Sequence, residues 1–561
     1  MREIEMLIER FDLLLDAPDS VSKLRHLILD VAIRGKLVDQ DPNDEPASVL
    51  LERIAEEKAR LVKEGKIKKP KKLPAIDPDE VPFELPAEWK FFRFGFAFDI
   101  QGGTQPPKST FMDSPGQGYI RLLQIRDFGT KPVPTYVPED RVRRFCTEDD
   151  ILIGRYGASV GKIFTGMRGA YNVALAKLVY PNGAFAKEYL INMLRTGLFQ
   201  NPVTGISRSA QAGFNKGDLF PLILPLPPLP EQHRIVAKVD QLMALCDELE
   251  QQQAEREKVR VKANSAAVQT LLACNSPTIF TRNWKRIRDN FDLLYSDPAN
   301  VQELRQGILQ LAVQGKLVPQ DVNDEPASVL LERITEEKAR LVKEGKIKKD
   351  KPFSNLISDV PPFEIPVTWQ WTTLQSIFEI SRGGSPRPSG DPLYFGGNIP
   401  WITVYEITKD DEKYLTRTKD GLTEEGKKKS RLISPDDLLI TNSGATLGVP
   451  KISLISGCIN DGVAVLRNFH SFEINNYSYL YLYQQTSSFR NINQGQGQPN
   501  LNTSILASWH FPLPPLPEQR RIVAKVDQLM AQCDELETKL ATSQGVSSRL
   551  LEAVVAGVVD S

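Results

Sequence analysis

Cysteine and histidine are scarce in this chain of 561 residues, which contains five cysteines and four histidines. The cysteines are scattered, odd in number and never spaced as C-x-x-C, which argues against a disulfide framework and favours a reducing compartment. The histidines have no metal-ligand spacing with one another or with cysteine, so no zinc site is predicted. The histidines are His26, His233, His470 and His510.

Long apolar runs and an excess of one charge are also lacking. No stretch reaches about 18 consecutive apolar residues, and the start of the sequence has no apolar signal core, so we expect neither a secreted nor a membrane-spanning protein. The 70 Lys and Arg balance the 71 Asp and Glu, for a net charge of −1. A polyanion site must therefore depend on local concentration of charge.

An internal duplication is the main positive feature of the sequence. Residues 44–69 return at 324–349 with one difference, and residues 225–250 return at 512–537 with two. Near-identity over separate blocks predicts one scaffold built twice.

Two inserts that barely match each other separate these blocks, at residues 81–225 and 361–512. They share a short skeleton, in which Gly102-Gly-Thr aligns with Gly383-Gly-Ser and residues 150–161 align with residues 437–448. Two divergent inserts in one preserved scaffold suggest two different binding surfaces. Simple drift after duplication is the alternative, but drift should have altered the scaffold as well.

The inserts and the scaffold differ in periodicity. Short apolar runs at 119–125, 173–180 and 462–466, separated by Gly, Pro and Asn turns, predict strands, so each insert is expected to be α+β. In the scaffold, apolar residues after Pro230 step by four and three positions, which is the heptad pattern of a coiled coil; they are Ile235, Val239, Leu242, Cys246 and Leu249.

The predicted fold class is α+β, with two α+β target domains separated by long helices that form an antiparallel coiled-coil spacer, in a pseudo-twofold internal duplication. The pattern weakens at 251–262 and resumes at Val268 and Leu271. The predicted segments are a helical scaffold at 1–80, a first target domain at 81–225, a central helical scaffold at 226–360, a second target domain at 361–512 and a final spacer helix at 513–561.

Motifs that would carry catalysis are incomplete, so no catalytic or metal-binding residue is assigned. The glycine turn at 157–163 has the wrong spacing for a phosphate loop, and Ile163 stands where Ser or Thr would bind Mg²⁺. Asp79 with Glu88 and Lys90 resembles a nuclease pattern that the second copy lacks. The duplicated P-L-P-P-L-P could bind an SH3 domain, but we interpret it as a stiff strut before each long helix.

The inserts also differ in charge. The first, from Trp89 to Leu224, contains 17 Lys and Arg against 10 Asp and Glu, a net of +7 that suits phosphate contacts. The second, from Trp369 to Phe511, contains 13 of each, so it can contact phosphates only if its charges are segregated. The Lys- and Arg-rich run at 427–431 would allow such segregation, although a charged run is more often a solvated face.

Loops that mix glycine with amide, hydroxyl and guanidinium groups are the candidate base-reading elements, since Arg pairs with guanine and Asn or Gln with adenine through two hydrogen bonds. In the first insert the candidates are Thr104, Gln105, Lys108, Arg121, Gln124, Arg126, Arg155, Tyr156, Lys162, Ser207, Arg208, Gln211, Asn215 and Lys216. In the second they are Ser385, Arg387, Trp401, Thr403, Tyr405, Thr441, Asn442, Ser443, Gln496, Gln498, Asn500 and Asn502.

The whole pattern resembles the specificity subunit of a type I restriction–modification enzyme. The resemblance rests on the two inserts, on the duplicated P-L-P-P-L-P-E-Q-[HR]-R-I-V-A-K-V-D-Q-L-M-A-x-C-D-E-L-E block and on D-[IL]-L-I-x-x-x-G-A-[ST]-[VL]-G in each insert. It implies that each insert reads one half of a bipartite site in double-stranded DNA, while the helices set the gap and dock other subunits. The Glu- and Lys-rich helix at 52–69 and its copy exceed what the shortest family members contain.

The resemblance also implies partners. Two methyltransferase subunits would supply S-adenosylmethionine chemistry on adenine, and two motor–nuclease subunits would use ATP and Mg²⁺, so this chain itself would bind no cofactor. The complex would act in the cytoplasm of a bacterial or archaeal cell. Two alternatives remain open: a coiled-coil adaptor with no DNA role, and a self-sufficient DNA-modifying enzyme, for which the sequence shows no Asn/Asp-Pro-Pro-aromatic motif.

Overall fold

The computed structural model describes residues 7, 11, 14–64, 73–206, 213–296, 300–349, 361–444, 446–469, 473–492 and 500–560. The chain divides into two compact units. Unit 1 comprises residues 1–256 and 544–561, and unit 2 comprises residues 257–543. Each unit therefore contains one copy of the scaffold and one insert.

The α-helices of the described residues alternate between scaffold and insert. They are Ser20–Ile33, Ala47–Lys63, Phe94–Ala97, Lys187–Arg195, Gly197–Ile206, Lys216–Leu219, Leu229–Leu272, Pro277–Asp289, Phe291–Leu294, Val301–Val313, Ala327–Lys343, Leu374–Ile377, Val404–Thr408, Glu424–Lys428, Glu473–Arg490, Thr503–Ser508 and Leu516–Asp560.

The strands all lie in or beside the inserts. In unit 1 they are β1 Lys90–Arg93, β2 Asp99–Gly102, β3 Tyr119–Leu123, β4 Tyr136–Pro138, β5 Phe145–Cys146, β6 Ile151–Gly154, β7 Ile163–Thr165, β8 Gly169–Tyr171, β9 Leu175–Val179 and β10 Ile223–Leu226. In unit 2 they are β11 Gln370–Thr373, β12 Phe378–Arg382, β13 Phe395–Ile402, β14 Tyr414–Leu415, β15 Gly421–Leu422, β16 Arg431–Ile433, β17 Leu438–Thr441, β18 Pro450–Ser453, β19 Gly457–Ile459, β20 Val463–Asn468 and β21 His510–Leu513.

Both inserts have the predicted α+β architecture, with two small sheets each. The first insert has the strand orders β2-β9-β6-β7 and β4-β3-β8-β5, and the second has β12-β20-β17-β18-β14 and β15-β13-β19-β16. Strands β3, β9 and β20 confirm the three apolar runs predicted to be extended. The fold class predicted from the sequence is therefore confirmed.

A two-stranded ribbon closes each insert and changes the interpretation of the proline motif. β1 pairs antiparallel with β10, and β11 pairs antiparallel with β21. Pro225 and Pro512 lie inside these ribbons, opposite Phe91 and Trp371, so the start of each motif is a strand and not a free strut. Proline is tolerated because the outer edge of a two-stranded ribbon needs no N–H donor.

The heptad positions of the scaffold form the core beside each ribbon. Ile235, Val239, Leu242 and Cys246 are buried in unit 1, as are their counterparts in unit 2, Ile522, Val526, Leu529 and Cys533. The first long helix, Leu229–Leu272, continues unbroken through residues 251–262, where the apolar pattern weakens. The antiparallel pairing of the two long helices remains a prediction.

The Glu- and Lys-rich helix of each scaffold copy is fixed to the base of its insert. Lys58 is buried, and its Nζ donates to the carbonyl oxygens of Gly95 at 2.5 Å and Phe96 at 2.8 Å. In unit 2, Lys338 Nζ donates to the carbonyl oxygen of Gln375 at 2.6 Å. In both copies the acceptors lie in the short helix that follows the first strand of the insert.

Candidate nucleic-acid interface

A glycine pair at the end of β2, and another at the end of β12, allows the backbone to approach a neighbouring backbone segment closely. Gly103 N donates to Leu175 O, and Gly383 N donates to Val463 O in the same way. A Cβ on Gly103 would lie 2.1 Å from Asn172 O, and one on Gly383 would lie 2.0 Å from Asn460 O. The required glycines are therefore Gly103 and Gly383, so the predicted alignment of Gly102 with Gly383 was wrong by one residue.

The turn at 157–161 is a tight turn, as predicted. Gly157 and Gly161 both have positive φ, and Gly161 N donates back to Gly154 O at 2.9 Å. In the second insert, Gly444 and Gly448 have positive φ in the same arrangement. This geometry joins strands β6 and β7, and β17 and β18, as hairpins.

Arg155 and Tyr156 lie together at the entrance to the first of these turns. Arg155 Nε donates to Phe214 O at 3.0 Å, and its guanidinium lies 5.0 Å from the ring centroid of Tyr156. Tyr156 is 38% exposed. The next residue after Phe214 is Asn215, so three predicted site residues converge here.

Asn215 and Asn502 cap short helices at equivalent points of the two inserts. Asn215 Oδ1 accepts from Gly217 N at 2.7 Å, and Asn502 Oδ1 accepts from Ile505 N at 2.9 Å. Each helix leads directly into the strand that closes the insert. Their amide oxygens thus hold the backbone, while both side chains remain exposed.

A second group of predicted residues gathers around Thr135 and Asp127. Gln124 Nε2 and Arg126 Nη2 both donate to Thr135 Oγ1, at 3.1 and 2.8 Å. Arg121 Nη2 donates to the buried Asp127 carboxylate at 2.9 Å. Thr135 and Asp127 are not evident from the sequence, because only the pairing of β3 with β4 brings Thr135 beside the turn.

The remaining described candidates of the first insert differ in their exposure and in the contacts that they already make. Gln105, Lys108 and Lys162 are exposed, and Thr104 is half-buried, with its backbone N–H bound to Tyr171 O at 2.9 Å. Lys216 forms an ion pair with Asp99, so part of its charge is already neutralised.

In the second insert, Asp461 holds two of the predicted residues. Ser385 Oγ donates to Asp461 Oδ1 at 2.6 Å, and Arg387 Nη2 lies 3.6 Å from Asp461 Oδ2. Arg387 itself is 72% exposed. Asp461 was not predicted, and its position in a turn more than seventy residues away gave no local signal.

Thr441 and Asn442 are buried at the entrance to the second turn, where they correspond to Gly154 and Arg155 of the first insert. Thr441 Oγ1 donates to Thr446 O at 2.6 Å and accepts from Val449 N at 2.9 Å, so it supports the hairpin. Asn442 Oδ1 is buried without a hydrogen-bond partner among the described atoms. Ser443 forms a β-bridge with Asn500.

Trp401 and Tyr405 lie close in sequence but in different environments. Trp401 is 6% exposed and packs against Leu422 and Cys458, which supports a role in the core and argues against a base contact. Tyr405 is 63% exposed, and Thr403 is half-buried at the start of the same short helix.

Five predicted residues lie outside the described part of the chain; they are Ser207, Arg208, Gln211, Gln496 and Gln498. Among the described residues, no group of three or more His, Cys, Asp or Glu side chains could hold a metal ion. None of the helices described combines the length and apolar character needed to cross a membrane.

A duplicated helical scaffold that carries two α+β inserts with polar exposed loops defines a two-insert recognition protein. The type I restriction modification DNA specificity domain matches the chain twice, at residues 86–257 and 366–543. The chain therefore belongs to the family of type I restriction–modification specificity subunits, and its role is that of the DNA-recognition subunit. Specificity subunits are the non-catalytic subunits of these systems.

Similar proteins are known from bacteria. The chain is 35% identical to the type I restriction enzyme EcoAI specificity subunit of Escherichia coli, over 96% of this chain and 94% of that protein. It is 32% identical to the EcoEI specificity subunit of the same species, over 95% and 93%. A solved chain from a structural study of complex assembly in a type I restriction–modification system aligns with a TM-score of 0.48 and 21% identity, covering 85% of this chain and 99% of that one.

Proposed function

We propose that each insert reads one half of a bipartite site in double-stranded DNA and that the long helices set the unread gap between the halves. The observation that supports this proposal most directly is the contrast between scaffold and inserts. The scaffold copies repeat their sequence and their contacts, whereas the exposed side chains of the inserts differ. Two different half-sites require this contrast, because the frame must stay constant while the base-reading groups change.

Exposed polar side chains at the insert loops are the proposed DNA contacts. In the first insert, Gln105 and Arg126 have hydrogen-bonding groups suited to base edges, and Lys108 and Lys162 suit phosphates. In the second insert, Arg387 and Tyr405 are exposed and have groups that could contact DNA. Arg121, Asn215, Ser385, Thr441 and Asn502 would act mainly by fixing the loops that carry these groups.

Two methyltransferase subunits are the proposed partners on the scaffold, and two motor–nuclease subunits would complete the complex. S-adenosylmethionine, ATP and Mg²⁺ would be bound by those partners. Methylation of an adenine inside a duplex requires the base to be flipped out, so this chain would position the methyltransferases on the DNA. The complex would operate in the cytoplasm, where the DNA and its cofactors are found.

Selection from random duplex DNA tests the proposal. The full chain is co-purified with its methyltransferase subunit, bound to a random library, and the retained DNA is sequenced. Two short preferred blocks with a constant unread gap are the expected result. A single contiguous motif would contradict the division of labour between inserts, and no enrichment by a folded complex would favour an adaptor role.

A further inference from the structure

A polar cleft of about 510 Å³ lies in unit 2, between the scaffold and the second insert. Its walls are the residues after the helix Ala327–Lys343, the edge strand β12, Arg431 at the start of β16, and the first residues of the helix Thr503–Ser508. The scaffold therefore contributes side chains to the surface of the insert. This contribution comes from the Glu- and Lys-rich segment.

Cations dominate this cleft. Its lining includes a single described carboxylate, Glu379, and five basic side chains: Lys338, Lys346, Lys348, Lys349 and Arg431. Hydroxyl groups of Ser381, Thr503 and Ser504 also line it. Ammonium, guanidinium and hydroxyl groups together are the set that proteins use to contact the phosphates of nucleic acids.

Three of these cations are exposed. Lys348, Lys349 and Arg431 are exposed and form no ion pair within the described residues. Lys346 is partly neutralised, since its Nζ lies 2.8 Å from Glu344 Oε2. Five basic side chains against one carboxylate, Glu379, leave the described lining of the cleft with a net positive charge.

Ion pairs neutralise part of the most basic run of the second insert, residues 427–431. Lys427 lies 3.3 Å from Glu424 Oε2, and Lys428 lies 2.5 Å from Glu425 Oε1, one helical turn away. Lys427 and Lys428 are therefore largely neutralised, whereas Lys429 and Arg431 are exposed and form no ion pair within the described residues. Since the insert is neutral overall, cations contributed by the scaffold would add to those that the insert itself exposes and would strengthen its binding to a polyanion.

We infer that residues 346–349 form a phosphate-binding element, through which the scaffold adds positive charge beside the neutral second insert. This inference rests on the proposed function, and the ligand is the sugar–phosphate backbone of the DNA. Two connections favour DNA over an acidic protein segment. Strand β12 leads directly from the cleft to Ser385 and Arg387, and Asn502 caps the helix whose Thr503 lines the cleft.

Salt dependence of DNA binding tests the inference. Each lost phosphate contact should reduce the slope of log Kobs against log salt by about 0.9, because fewer counter-ions are released. The double variant Lys348→Ala/Lys349→Ala, in the full chain with its methyltransferase subunit, should therefore lose about 1.8 from the slope. The selected DNA sequence should not change, since phosphate contacts carry no sequence information.

Two further variants make the result specific. Lys427→Ala/Lys428→Ala removes the same charge from the same unit at ion-paired positions, and it should leave the slope unchanged. Lys348→Arg/Lys349→Arg keeps the cations and should keep the wild-type slope. Equal slope losses in the two alanine variants would overturn the inference, because general charge would then explain both.

The outcomes separate this inference from the proposed function. If the wild-type complex selects no DNA, the proposed function itself fails. If it selects a bipartite site but Lys348→Ala/Lys349→Ala retains the full slope, only the phosphate-binding element is wrong. The variant could instead lose its methyltransferase subunit while the slope stays constant. That outcome would indicate that the cleft binds an acidic protein segment, and it would also overturn the inference.

Discussion

The indole Nε1–H of Trp89 donates to Oε2 of Glu231 over 2.9 Å, and the bond joins residues that are 142 positions apart in the chain. Gln40 Nε2 donates to Oε1 of the same carboxylate at 2.7 Å. Glu231 lies in the first turn of the long helix, so two scaffold segments and the start of the insert meet at one buried acid. Burial raises the pKa of Glu231, and the hydrogen bonds from Trp89 and Gln40 oppose that rise.

The second scaffold copy repeats this junction. Trp369 Nε1 donates to Glu518 Oε2 at 2.9 Å, and Gln320 Nε2 donates to Oε1 at 2.7 Å. The ion pairs Arg234–Asp44 and Arg521–Asp324 lie beside the two acids, each with an N–O distance of 2.6 Å. The junction thus fixes the start of each insert to the start of each long helix, whatever the insert contains.

Replacing Trp89 with Phe tests this junction. The substitution keeps most of the ring but leaves Glu231 Oε2 buried without a donor, so we expect a loss of about 1–3 kcal/mol in the free energy of unfolding. Trp369→Phe should destabilise unit 2 by a similar amount. Denaturant unfolding, with hydrogen exchange to locate the effect in one unit, is the measurement.

Trp371 provides the matched control for that experiment. Its indole is half-buried, and its N–H donates to no group in the described structure, so Trp371→Phe should change stability by no more than about 0.5 kcal/mol. If Trp371→Phe and Trp89→Phe cost the same, ring volume and not the hydrogen bond would explain the loss.

Lys58 should make the stability of unit 1 depend on pH. Desolvation lowers the pKa of Lys58 from 10.5 to about 8. Between these values the unfolded chain binds more protons than the folded chain, so the free energy of unfolding should rise with pH in this window. Below about pH 8 the folded protein holds a charged, poorly solvated ammonium, and this penalty is fully present.

Comparison with Lys58→Met isolates this contribution. As pH rises from 8 towards 10.5, the wild type should gain stability relative to the variant by up to about 1.4 kcal/mol per pH unit. Urea unfolding across the window measures it, and Lys63→Met, at the exposed end of the same helix, controls for loss of a lysine. Parallel pH profiles for wild type and Lys58→Met would show that Lys58 is better solvated than the structure indicates.

Asn215 and Asn502 should behave as helix caps. Alanine at either position removes the acceptor for a backbone N–H and should cost about 1 kcal/mol, whereas Ser preserves an acceptor and should cost little. Thermal unfolding measures the cost, and DNA selection shows whether either half-site changes. If Asn502→Ser remained stable but lost one half-site, Asn502 would read a base directly in addition to capping.

Substitutions at Trp401 and Tyr405 should have different effects, the first on stability and the second on DNA affinity. Trp401→Ala removes a large buried side chain and should destabilise unit 2 by about 3–5 kcal/mol, whereas Trp401→Phe should leave the half-site unchanged. Tyr405→Ala, at an exposed position, should keep the stability and weaken DNA binding. Binding titrations at constant salt, alongside unfolding curves, distinguish the two, and a stable Trp401→Phe with an altered half-site would contradict the core assignment.

The scaffold and the strand pattern could be predicted because their signals are local or repeated. The heptad positions such as Ile235 and the apolar run of β9 carry their periodicity in adjacent residues. The equivalence of Gly103 with Gly383 could not be predicted, because it depends on hydrogen bonds to residues that are 72 and 80 positions away. In the same way, the burial of Trp401 in the core could not be predicted, because it depends on packing against Cys458.

The candidate site was predictable in its location but not in the state of its side chains. Arg121 and Ser385 were chosen for their chemistry, yet Asp127 and Asp461 already occupy part of their hydrogen-bonding capacity. The role of the Glu- and Lys-rich helix could not be predicted either. Lys58 and Lys338 contact backbone carbonyl groups, which every residue has and which the residue types therefore do not reveal. The type of a side chain indicates which groups it could bind, but only the folded structure shows which groups it already contacts.

The length of the long helix should determine the length of the unread DNA gap. The helix is continuous across residues 251–262, where its apolar pattern is weakest, so four inserted residues should extend it by about 6 Å with little loss of core packing. Such a variant should select the same two half-sites with a longer gap, because each insert keeps its own ribbon and junction. Selection from random duplex DNA by the variant, beside the wild type, measures the gap directly. Altered half-sites with an unchanged gap would show that the helix does not set the spacing.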